Sequence, residues 1–481
     1  MSLSLSPPAP RKIPLPEPGW AWLVAVVIAV AVGWLVARGA LGRAGQLQWA
    51  WGIDGGYFMQ RIWQGAVDPF AERTLFYTEA GAGTYGGRHH SPIVSLFIPA
   101  LALRPHFTTL LVTQGALLGA GVLPLFALCW RCCEDRVVAL ALLVAALSVP
   151  GFFAVGVGDF RLLAPAMVLV PAALGAAVFG PWPAVFAATV LACSVREEIA
   201  PLLVVLLPFA VAERAARNQA RWTVAGWVPL LAMALPALLW QAGTMWRASL
   251  YQPGALSGFA AGNPDGIVAT LRDWSGMLAS DLKGDYTDPP RVLRRVMEVG
   301  GIAGLLLLRK PLAIPAVLLF WVGAAVNIGV VNPGQVHYYA PLVGVFVALV
   351  PLSLGALDMR ALGLVGAGVL GLAHWLLPAL PVSTDDALFL ARQPRGPEWE
   401  MASTIDPDEV VLASGWLLPT VAPRQEIYCT CDLSDTRYVE VYPRVDVAYL
   451  MVGEAFEQEV RDAGFVEVAR ENQGILLRRP R

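Results

Sequence analysis

The stretch WAWLVAVVIAVAVGWLV, Trp20 to Val36, contains no charged side chain. A bilayer crossing needs about 20 apolar residues, and this run nearly reaches that length. It is long for the apolar region of a signal peptide. It therefore reads as an uncleaved first helix, with cleavage near Ala37–Ala40 the less favoured alternative. Ahead of it lies a polar, Pro-rich segment in which Arg11 and Lys12 are the only charges before Glu17.

Working outward, further apolar segments follow at 107–130, 137–157, 162–180, 182–195, 198–212, 222–242, 296–308, 312–331, 339–357 and 361–380. With the first they predict roughly eleven transmembrane helices. Several are short and are expected to extend into their flanks or to break inside the protein. The composition agrees. Of 481 residues, 57% are hydrophobic and 15% charged, and the mean hydropathy is +0.59. A soluble domain carries about 25% charged residues. The net charge of -2 offers no basic field for nucleic acid.

Basic residues orient the chain, because short cytoplasmic connections collect Lys and Arg. With the N-terminus in the cytoplasm, the inner connections hold Arg11 and Lys12; Arg131 and Arg136; Arg214, Arg217 and Arg221; Arg309 and Lys310; and Arg360. The exception is Arg291, Arg294 and Arg295, at the end of a long outer loop where the rule is weak. Segment 93–105 is apolar but too short to span, so an in-plane or re-entrant helix is expected. The reading is a multi-pass protein of the cytoplasmic (inner) membrane, with residues 1–380 as its transmembrane core. Loops 39–106 and 243–295 and the tail, 381–481, lie on the outer side.

The tail changes character, with frequent charges and alternating apolar residues. Residues 410–413, 445–451 and 474–478 read as strands, and 454–463 as an amphipathic helix stopped at Gly464. This predicts a small extracytoplasmic α/β domain that folds by itself and lies away from the chemistry. Six cysteines are present: Cys129, Cys132, Cys133, Cys193, Cys429 and Cys431. Their spacing predicts no zinc site. Cys429-Thr-Cys431 could close a strained disulfide, but the reduced pair is the favoured reading.

Ionisable residues at membrane depth are costly and so are candidates for function. Asp54 precedes Gly55-Gly56-Tyr57-Phe58-Met59-Gln60-Arg61-Ile62-Trp63, whose apolar residues suit one stripe of a surface-lying helix. Asp54 would cap that helix or act as a carboxylate base. His89 and His90, beside Arg88, either bind phosphate or metal or belong to a solvated loop. Asp159 and Arg161 flank Phe160 and either pair with each other or face a ligand. Arg196-Glu197-Glu198 forms an internal ion-pair network or a polar site. His337 lies in Gln335–Pro341, beside an aromatic pair. By parity the first four of these clusters face outward. No nucleotide-binding motif occurs, and a donor reached from the bilayer would need none.

These motifs resemble those of the DUF2079 family of predicted membrane proteins, itself similar to the GT-C superfamily of lipid-sugar-dependent glycosyltransferases. Asp54, Phe58, Gln60 and Trp63 match a D-L-G-x-F-x-Q-x-x-W pattern. His89 or His90 with Ser91 and Pro92 matches H-x-S-P, the spacing favouring His89. Asp159 and Phe160 match F-D-F-H, with Arg161 in place of the final His. Arg196-Glu197-Glu198 stands for K-E-D, Val336–Pro341 resembles Y-H-Y-x-A-P, and Gly474–Arg478 resembles a closing G-x-x-L-x-R strand. The resemblance implies a GT-C-like membrane core, a catalytic acid in the first outer loop, a polyprenyl-phosphate-linked sugar as donor, and membrane lipids as surroundings. A divalent metal is an option in such enzymes, and no metal cage is evident here. A transporter or flippase for a lipid-linked or small polar solute, or a non-catalytic envelope assembly factor, are the alternatives. The internal symmetry expected of a transporter is not found.

Overall fold

The computed structural model describes residues 19–45, 52–67, 91–158, 160–218, 224–251, 299–318, 339–355, 368, 396–422, 427–430, 442–453, 456–472 and 474–480. The first helix, α1, runs Trp20–Gly45, and α2 runs Gly52–Val67. A 3-10 turn, Pro92–Leu96, and a short helix, α3 (Ile98–Leu103), occupy the segment expected to be too short to span. Then come α4 (Phe107–Cys133), α5 (Arg136–Leu147), α6 (Pro150–Gly158), α7 (Ala166–Phe179), α8 (Trp182–Cys193), α9 (Ile199–Val205), α10 (Leu207–Asn218) and α11 (Val224–Tyr251). After a 3-10 turn at Gly301–Leu305 follow α12 (Leu306–Arg309) and α13 (Ala340–Leu354).

Two described helices, α1 and α4, are long and apolar enough to cross a membrane unaided, and the number rises to five if each bent pair is one span. The bends have local causes. The α5–α6 bend of 57° falls at Pro150, and the α9–α10 bend of 47° falls at Pro208. Proline cannot donate the helical N–H bond at such points. Segment 361–380 lies outside the described residues except for Gly368.

Small residues let α1 and α4 approach closely, as in other membrane helix pairs. A Cβ on Gly119 would fall 2.5 Å from the Ala29 carbonyl oxygen, and one on Gly115 would fall 2.6 Å from that of Gly33. Opposite them, Leu23, Val27, Val30 and Trp34 leave α1 exposed on its other face, as a lipid-facing surface would be.

One end of the bundle collects the basic residues. The Arg217 guanidinium donates to the carbonyls of Leu352 at 2.8 Å and Cys132 at 3.5 Å. Arg214 donates to Ala177 O at 2.7 Å and Gly180 O at 3.2 Å. Lys310, at the 112° turn before Pro311, pairs with Glu213. Arg136 lies against Gly19, at the start of α1. The ends of α4, α7, α10 and α13 and the start of α1 therefore share one end, as alternating crossings require. Cys129, Cys132 and Cys133 are free thiols near it.

The opposite end carries the tail. A helix, α14 (Pro397–Ala402), precedes five strands: β1 (Val411–Ala413), β2 (Ile427–Cys429), β3 (Val447–Met451), β4 (Val466–Glu471) and β5 (Gly474–Arg478). A single turn of helix, α15 (Leu418–Val421), lies between β1 and β2, and α16 (Phe456–Asp462) precedes β4. The sheet order is β2-β1-β3-β5-β4. The first three strands are mutually parallel, and β5 runs antiparallel to both β3 and β4. The predicted strands at β1, β3 and β5 and the helix α16 are present, while α14, α15, β2 and β4 were not foreseen. Cys429 is disulfide-bonded, against the favoured reading of a reduced pair, and Cys431 lies outside the described residues.

The tail does not stand apart. Trp399, Leu417, Leu418, Val421 and Tyr449 share one buried core with Phe58, Met59 and Ile62 of α2 and with Phe97, Phe107 and Phe160. The expectation that it lies away from the candidate motifs fails because the α15 turn packs on α2 and shares its apolar core.

Candidate functional site

The five motifs meet the described residues unevenly. Asp54 belongs to α2 itself, in its first turn, so it is not the residue capping that helix. The helix begins three residues earlier than the sequence suggested. A first-turn position lies at the positive end of the helix dipole. His89, His90, Asp159 and His337 lie outside the described residues, as does Arg88. Arg161, Arg196, Glu197 and Glu198 are described.

What draws the motifs together is a set of aromatic and backbone contacts beside them. Phe160 meets Phe58 edge-on at 5.8 Å and Phe97 edge-on at 5.1 Å. Phe58 belongs to the Asp54 motif, and Phe97 closes the turn that follows His89, His90 and Ser91. The Ile93 amide donates to Ser194 O at 2.9 Å, tying that turn to the segment ending in Arg196-Glu197-Glu198. Segments far apart in sequence thus converge at the end of the bundle opposite the basic cluster.

Arg161 is almost fully buried. Its backbone N–H donates to Gln114 Oε1 at 2.8 Å, and Gln114 Nε2 donates to Gly156 O at 3.2 Å. One buried amide from α4 therefore bonds both Gly156 and Arg161, which stand on either side of Asp159 in the sequence. An unpaired backbone group in such a place would be penalised, which explains an amide in an apolar span. Arg196 Nε lies 3.1 Å from Glu198 Oε2 and 3.6 Å from Glu197 Oε1, so the internal ion pair exists. These side chains keep 13–28% exposure, so the cluster is accessible from the end of the bundle. Ser91 is fully buried, and its hydroxyl has no hydrogen-bond partner among the described residues. Tyr339, beside the His337 motif, is buried at the start of α13.

Sequence reasoning missed Gln114, Trp399 and Leu418. Gln114 carried a readable signal, a lone amide within an apolar run. The other two carried none, because their importance comes from packing across the tail. Trp399 Nε1 donates to Ala44 O at 2.9 Å, and its ring stacks on His106 at 5.3 Å. Among the described residues, no three His, Cys, Asp or Glu side chains gather into a metal-binding group.

Fold and site together define a helical membrane protein with a small sheet over one end. Residues 40–248 match the family described as "Predicted membrane protein (DUF2079)", as the motifs imply. No curated protein sequence matches the chain. Among solved structures, apo ArnT from Cupriavidus metallidurans superposes with a TM-score of 0.53 at 12% identity, covering 95% of this chain and 98% of that one. The Archaeoglobus fulgidus oligosaccharyltransferase with Zn and sulfate gives 0.44 at 13% identity, covering 95% of this chain and 72% of that one. The chain thus shares an overall fold with ArnT.

Proposed function

We propose that this protein is an integral-membrane glycosyltransferase that moves a sugar from a polyprenyl-phosphate donor to an acceptor on the outer face of the cytoplasmic membrane. The observation that carries the reading is the convergence of Asp54's helix, the Ser91-Pro92 turn, Phe160-Arg161 and Arg196–Glu198 at one end of an ArnT-like bundle. Eleven crossings would put the N-terminus inside and the domain at 381–481 outside. Two features support that sidedness independently. Basic residues crowd the opposite end, as cytoplasmic ends do. Cys429 in the tail is disulfide-bonded, and disulfides persist in oxidising compartments.

In this mechanism Asp54 takes the proton from the acceptor hydroxyl as that oxygen attacks the anomeric carbon. The bond from that carbon to the phosphate oxygen breaks, and polyprenyl phosphate leaves. His89, His90, Arg161 and Arg196 hold the phosphate through charge-assisted hydrogen bonds. Glu197 and Glu198 orient Arg196, to which they are already paired, and Asp159 and His337 line the same cavity. Gathering these charges in one hydrated cavity offsets a cost of about 2.5–3.5 kcal/mol for each isolated charge at membrane depth.

The test is Asp54→Asn, which keeps shape and removes basicity. Transfer of labelled sugar from a polyprenyl-phosphate donor to membrane acceptors should fall at least about a hundredfold, the lower bound for a lost general base. The variant should stay folded by size-exclusion profile. A variant that transfers as fast as wild type would sink Asp54 as the base.

A further inference from the structure

We propose that the tail positions the candidate catalytic helix, and that Leu418 is the residue that fixes the turn of α2 bearing Asp54. The proposal rests on the reading of Asp54 as the base. Gly55 and Gly56 follow Asp54 directly. A Cβ on Gly56 would fall 2.5 Å from Leu418 Cγ, 2.7 Å from its Cδ2 and 2.8 Å from its Cβ. A Cβ on Gly55 would fall 3.1 Å from Phe107 Cζ and 3.3 Å from Pro419 Cγ. Leu418 therefore occupies the volume that a side chain at position 56 would need. Leu417 and Leu418 are fully buried there.

Two adjacent glycines weaken a helix by themselves, because glycine loses the most backbone freedom on ordering. The turn that carries Asp54 thus depends on outside contacts to hold one conformation. The tail supplies them at three points around that turn. Leu418 and Pro419 fill the glycine seat on α2. Trp399 bonds the Ala44 carbonyl in the last turn of α1. The same indole stacks on His106, whose ring caps α4 by accepting from the Thr108 amide at 3.2 Å. Misplacement of a reacting group by about 1 Å can cost about a hundredfold in rate, so a clamp on these three elements has catalytic leverage. Leu418 is a positioning residue in this scheme and touches no reacting atom.

Hydrogen exchange on the full-length protein in detergent tests this without a substrate. Gly56→Ala should speed exchange across 52–67 by about tenfold or more, the mark of local opening. The middle of α4 and strand β3 should keep wild-type protection. Adding Leu418→Ala removes the two closest atoms and should slow exchange again. Trp399→Phe keeps an aromatic ring beside His106 and loses the N–H bond and the indole's second ring, so a gentler rise of about fivefold is expected. That variant carries the test if Gly56→Ala fails to fold. Wild-type exchange in both single variants, or a double variant no slower than Gly56→Ala, would overturn the proposal. Retention of undecaprenyl phosphate by wild-type protein is measured alongside. Its absence would overturn the transferase reading alone, and the exchange data would still decide the docking.

Discussion

Gln114 places a full hydrogen-bonding amide inside a mostly apolar helix. It bonds Gly156 and Arg161, one on each side of Asp159 in the sequence. Replacing it with leucine would leave a buried carbonyl and a buried N–H unpaired, at about 1–3 kcal/mol each. Gln114→Leu should therefore lower the thermal unfolding midpoint in detergent and speed exchange at the Phe160 and Arg161 amides. Unchanged exchange there would mean the turn is held by other contacts. This residue was legible in the sequence by its cost alone. Asp54 was legible as a candidate, but not its place within α2, because a glycine-flanked start gives no sharp cap signal.

At the scale of elements, long apolar helices were the readable part. α1 and α4 follow from length and hydropathy, and the bends at Pro150 and Pro208 from missing donors. The tail was half readable. β3 and β5 alternate or run apolar, whereas β2 has three residues and forms only against β1, a partner that no local pattern names. The corner formed by α16 and β4 carries a charge network that makes a testable claim. Hydrogen bonds from Arg470 and then Arg461 hold the exposed Glu467 carboxyl down to about 2. Its value lies below the ordinary 4.5, so its stabilisation is fully present above pH 4.5 and is lost as pH falls towards 2. Exposure and salt keep the effect small. In low salt, Glu467→Gln should melt below wild type at pH 6 and match it at pH 2. Equal melting at pH 6 would mean the pairs contribute nothing measurable.

At the scale of the whole molecule, the two ends differ in charge and in cover. Reporter fusions after Arg217 and Arg309 should signal from the cytoplasm, and a fusion at Arg481 from the opposite side. A cytoplasmic signal at Arg481 would sink the proposed orientation. The shared core of tail and α2 bears on how the tail behaves when cut free. A fragment of 381–481 would bare Trp399, Leu417, Leu418 and Val421. It should bind a hydrophobic dye and associate, and a monomer that ignores the dye would mean the interface is slight. The same contact sets an order of events during synthesis. Leu418 leaves the ribosome about 360 residues after Gly56, which at about 5–20 residues per second is roughly 20–70 s later. Throughout that interval the helix bearing Asp54 stands with its glycine seat empty. Nascent and prematurely terminated chains would therefore be inserted yet inert, and the arrival of the last strands would switch each molecule on.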